Sequence, residues 1–157
     1  MYRLLTEWMD SSRMWVTEQP TFKRAVQAVG LELERKGIVD PAFTRIVLEQ
    51  ETILPSGVSD VAIPVSVIDV PTQICKQNGI SLLHLNHPCE VKTIAGEVIR
   101  ARLVLIVTAT TDSKKQAYHK LIDDLLMDDE ALQALSHIQS RAGLFHLQAN
   151  FLEAFSY

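Results

Sequence analysis

The chain has 157 residues, 47% apolar and 22% charged, a balance that argues against disorder and supports one folded domain able to bury about two thirds of its unfolded surface. Fifteen Lys and Arg against nineteen Asp and Glu give a net charge of −4, and the cations are scattered, so the basic face that nucleic acid requires is missing. The longest aliphatic run, Leu103 to Val107, is too short to insert into a bilayer, Glu7 interrupts any apolar leader, and Cys75 and Cys89 are too few for a disulfide scaffold; a reducing cytoplasm is expected.

In chain order, Met14 to Val16 reads as a short strand. Phe22, Ala25, Val26, Val29 and Leu33 then fall at spacings of three and four, one apolar helix face with Thr21 as its cap and Gly37 as its stop. Asp40-Pro41 resembles a cap followed by proline at the first helical position, which predicts a helix from Pro41 to about Glu51. The β-branched stretch Val58 to Val67 predicts a strand interrupted at Pro64. Asn78-Gly79 signals a turn before a strand from Ile80 to Leu85, which alternates poorly and is expected to be covered on both faces.

Arg100 to Thr108 has the aliphatic centre of a mid-sheet strand. Thr111-Asp112-Ser113 offers caps for a helix carrying Tyr118, Leu121, Ile122, Leu125 and Leu126 on one side. Another helix is predicted from near Asp129, bearing Ala131, Leu132, Leu135 and Ile138 and broken by Gly143. Leu144, Leu147, Phe151 and Phe155 recur at helical spacing in the tail, as a stripe packed on its own domain or as a homodimer contact. Strands mixed with one-faced helices, without repeats or a linker, predict a single α/β domain over residues 1–157.

The order of short motifs goes further. Gln50-Glu51, Pro55-Ser56-Gly57 and Ala62-Ile63-Pro64 follow one another, and the strand at Leu103 to Val107, a Leu-rich helix and the run from Asp128 to Leu135 come later. This frame resembles enzyme IIA of the sugar phosphotransferase system, in its fructose/mannitol class and nearest its galactitol-type branch, over about residues 20 to 145. The resemblance implies a mixed central β-sheet with α-helices on both faces. It also implies a domain that takes a phosphoryl group from the phosphocarrier HPr and passes it to an enzyme IIB. In that family an arginine precedes the glutamate, a histidine follows Ala-Ile-Pro as the phosphate carrier, and a second histidine opens the Leu-rich helix. Those positions here are Gln50, Val65 and Lys115.

Valine offers no nucleophile, Gln50 lacks the forked charge that grips phosphate, and Lys115 retains only a cation. The resemblance therefore implies a degenerate site and a noncatalytic binding or regulatory domain for HPr, an enzyme IIB or a transporter subunit. Two alternatives stay open. His119, four residues after Lys115 and about 6 Å away on the same helix face, would replace the lost carrier, although its frame position suits packing. Or the vacant pocket would sense a sugar phosphate through Gln50 and Lys115.

Cys75, His84, His87 and Cys89 match no common zinc spacing, and are expected to be buried or half-buried thiols and solvent-exposed histidines; no metal or cofactor is expected. Asp123-Asp124 and Asp128-Asp129 read as solvated surface.

Overall fold

The computed structural model describes the backbone of residues 9–138 and the side chains of residues 13–138. Its sheet has the order β1-β4-β5-β3-β2, built from β1 (Met9–Thr17), β2 (Gly57–Val58), β3 (Val65–Asp69), β4 (Gly79–Lys92) and β5 (Val98–Thr108). β1 runs parallel to β4 and β3 parallel to β5, whereas β4–β5 and β2–β3 are antiparallel, so the sheet is mixed. From Leu103 to Val107 the central strand β5 is wholly buried because both faces are covered. Val104 and Ile106 pack toward α1 (Phe22–Arg35) and α2 (Phe43–Ile53); Leu103, Leu105 and Val107 pack toward α3 (Asp112–Leu126) and α4 (Asp129–Ser136). This is the predicted α/β arrangement with helices on both faces.

Local chemistry sets most boundaries where the residues placed them. Thr21 and Thr111 each accept a backbone N–H at 3.2 Å, from Arg24 and Lys114, and cap α1 and α3. Gly37 takes the left-handed conformation after α1, with φ 70°.

Four expectations need correction. Val58 to Val67 is two strands, since the chain leaves the sheet between β2 and β3 and re-enters at Pro64, whose carbonyl accepts from the Arg102 N–H at 3.1 Å. Proline has an acceptor but no donor there, which suits a strand start. Second, the strand expected to end at Leu85 continues to Lys92 across a register shift between His84 and Cys89, an irregularity that accommodates Pro88. His84 is consequently buried within the sheet, while His87 is exposed as expected. Third, α2 begins two residues late; Asp40 does accept from Ala42 N–H at 2.9 Å, but over a turn closed by the Phe43 N–H to Asp40 carbonyl bond. Fourth, α4 ends at Ser136, before Ile138. Gly143 and the stripe from Leu144 to Phe155 lie outside the described residues.

Candidate functional site

The end of β3 positions the site. Alternation along the strand sends Ile68 into the α1/α2 layer and Val65, Val67 and Asp69 toward α3. Asp69 pairs in register with Val107, and the chain needs only Ala109 to Thr111 to pass from β5 into α3. The first turns of α3 are thereby laid over Asp69. Lys115 Nζ and His119 Nε2 both lie 3.3 Å from Asp69 Oδ1. The His119 contact lacks the alignment of a good hydrogen bond and is ionic when the ring is protonated. From the opposite layer, Gln50 Nε2 on α2 donates to the Asp69 carbonyl at 2.8 Å.

Burial pushes the Asp69 carboxyl up, but contact with His119 and the Lys115 charge outweigh it and hold the group below its ordinary value. Reciprocally, contact with Asp69 raises His119 above its ordinary value against the opposing effect of burial. Contact with the carboxylate therefore shifts the ring toward its protonated form relative to a free imidazole.

Beside this pair lies a cavity of about 270 Å³, bordered by Gln50, Glu51, Ser56, Asp69 and His119 and by apolar side chains including Leu54, Val58 and Ile94. Glu51 accepts from the Ser56 N–H at 3.0 Å and from its hydroxyl at 2.8 Å, and the two hydroxyls of Ser56 and Ser66 meet at 2.7 Å. These bonds fix the Pro55-Ser56-Gly57 loop against α2.

Of the residues singled out from sequence, Gln50, Lys115 and His119 converge on Asp69. Val65 is four residues earlier on the same strand, fully buried beside Leu103 and beneath α3 and α4. Sequence reasoning missed Asp69, the group that joins the other three. Its one signal was a lone carboxylate closing a β-branched run. Cys75 and Cys89 are free thiols, half-buried and buried, which burial keeps protonated. Cys89 packs in the α1/α2 layer, and among the described residues no three metal-binding side chains come together. Asp123 and Asp124 are exposed, and Asp128 caps α4 by accepting from Ala131 N–H at 3.0 Å.

Residues 11–150 match the family model described as phosphoenolpyruvate-dependent sugar phosphotransferase system, EIIA 2. No curated protein sequence matches the chain. Among solved structures, the mannitol-specific cryptic phosphotransferase enzyme IIA of Escherichia coli superposes with a TM-score of 0.73 at 14% identity, covering 94% of this chain and 99% of that one. Enzyme IIA-mannitol of Escherichia coli, in its complex with phosphorylated enzyme IIB-mannitol, gives 0.69 at 18% identity over 90% and 97%. Nitrogen regulatory protein IIA-Ntr from Neisseria meningitidis gives 0.65 at 17% over 88% and 97%. At these identities the structural likeness concerns the fold.

Proposed function

The chain belongs to the EIIA 2 family of the phosphoenolpyruvate-dependent sugar phosphotransferase system, and from that premise we propose that it is a docking or regulatory member that does not relay phosphate through position 65. The single observation that carries this is Val65: an aliphatic side chain with no exposed surface stands where the motif frame expects the carrier. It has neither the imidazole nitrogen that attacks phosphorus nor access to a donor. The companion positions are also reassigned, since the Gln50 amide is bonded to the Asp69 carbonyl and the Lys115 ammonium to the Asp69 carboxylate. These commitments weigh against a sugar-phosphate sensor built on Gln50 and Lys115.

The partner is an enzyme IIB, by analogy with the mannitol complex, or HPr or a transporter subunit; the cytoplasm is the compartment such partners require. On the motif frame the branch is the galactitol-like one. Exposed Leu54 and Ile94 on the rim of the cavity supply apolar contact of the kind that partner docking uses.

A second reading draws on His119, which borders the cavity and contacts a carboxylate, as an oriented nucleophile would. The same contact shifts the ring toward its protonated form, in which neither nitrogen has a free lone pair; with no carrier at Val65, the docking reading is preferred. Incubation with phosphoenolpyruvate, enzyme I and HPr, followed by intact mass, separates the two. Docking predicts no added phosphoryl group, and an acid-labile adduct lost in His119→Gln supports the carrier.

A further inference from the structure

Among the described residues, the donors and cations nearest the cavity already face acceptors of the protein itself. Lys115 and His119 both face Asp69 Oδ1, the Gln50 amide is bonded to the Asp69 carbonyl, and the Ser56 hydroxyl donates to Glu51. Two carboxylates, Glu51 and Asp69, border the same space. A phosphoryl group brought to this mouth on a partner's side chain would bring about two negative charges next to those carboxylates, and it would have to compete with Asp69 for Lys115 and His119. An uncharged side chain would meet no such opposition and would find the apolar rim of Leu54, Val58 and Ile94.

We propose that this face takes its partner preferentially in the unphosphorylated form, so that the domain reads the phosphorylation state of a phosphocarrier instead of relaying the group. The inference rests on the docking role proposed above and adds a direction to it. Asp69 is the residue that sets the preference, by engaging both nearby cations. Its removal would free Lys115 and His119 and turn the same cavity toward anions.

The test has one arm without a partner and one with it. In the first, the His119 ring signals are followed by NMR while inorganic phosphate is added against a chloride control at equal ionic strength. The wild type is expected to stay unmoved through millimolar phosphate and Asp69→Asn to shift saturably; Asp69→Ser serves if the asparagine variant folds poorly. Saturable binding by the wild type, or no binding by either charge-removing variant, overturns the proposal.

In the second arm, enzyme IIB-mannitol of Escherichia coli is titrated in its phosphorylated and unphosphorylated forms. The unphosphorylated form is expected to bind about tenfold tighter, with Asp69→Asn narrowing or reversing the gap. Equal binding or a preference for the phosphorylated form overturns the proposal. Binding of neither form counts instead against the docking role, and the phosphate arm still decides the charge argument.

Discussion

Placing a histidine at position 65 by Val65→His is expected to destabilise the site sooner than to confer phosphotransfer. Val65 has no exposed surface and sits in an aliphatic cluster with Leu103, Ile122 and Leu125. An imidazole there adds ring atoms to a filled space, at roughly 1–3 kcal/mol for overpacking. It also introduces two polar nitrogens among hydrocarbon neighbours, at roughly 1–3 kcal/mol for the group left unpaired. A total near 3 kcal/mol corresponds to a drop in Tm of about 10 °C for a chain of this size. Val65→Ala, which loses packing but buries no polar atom, should fall between wild type and Val65→His. Urea melts give the stabilities, and intact mass after incubation with phosphoenolpyruvate, enzyme I and HPr gives the activity. A Val65→His protein as stable as wild type that gains a phosphoryl group would refute the burial argument and show position 65 open to a donor.

Three further outcomes follow from named contacts. Asp69 is held below its ordinary value of 3.8 and His119 above its ordinary 6.5, so their contact stabilises most between those values. It fades as pH rises through the raised His119 value and as pH falls through the lowered Asp69 value. A double-mutant cycle of Asp69→Asn and His119→Gln should show about 1 kcal/mol or less of coupling near pH 5.5 that shrinks by pH 9; coupling that is flat with pH contradicts the assignment. A Cβ at Gly57 would lie 2.6 Å from the Lys92 carbonyl oxygen, in backbone that cannot swing aside, so Gly57→Ala should destabilise by about 2 kcal/mol in denaturant melts. Thr111→Ala should cost about 1 kcal/mol through the lost cap of α3 and loosen Lys115 and His119, visible as faster amide exchange in that first turn.

Helices and the central strand were legible because their signals are local. The spacing of Phe22 to Leu33, the caps Thr21 and Thr111, and the aliphatic run through Leu103 to Val107 each state their element within a few residues. The β2–β3 break was not legible, since Val61 and Ile63 carry strand propensity yet pack from a loop onto the α3/α4 cluster, where tertiary contact outweighs propensity. The run through His84 to Lys92 hid its continuity behind Pro88, because a bulge is fixed by the partner strand. At the site, Gln50, Lys115 and His119 could be nominated from motif order. What joins them could not, because Asp69 meets α2 and α3 only through the sheet topology, with contacts 19 residues back and 46 and 50 residues ahead.

The most direct test of the account is the phosphorylation measurement itself: purified protein, phosphoenolpyruvate, enzyme I and HPr, with a working enzyme IIA alongside and intact mass as the readout. The account predicts that the control gains one phosphoryl group and this chain gains none. A stoichiometric, acid-labile gain on this chain would contradict it.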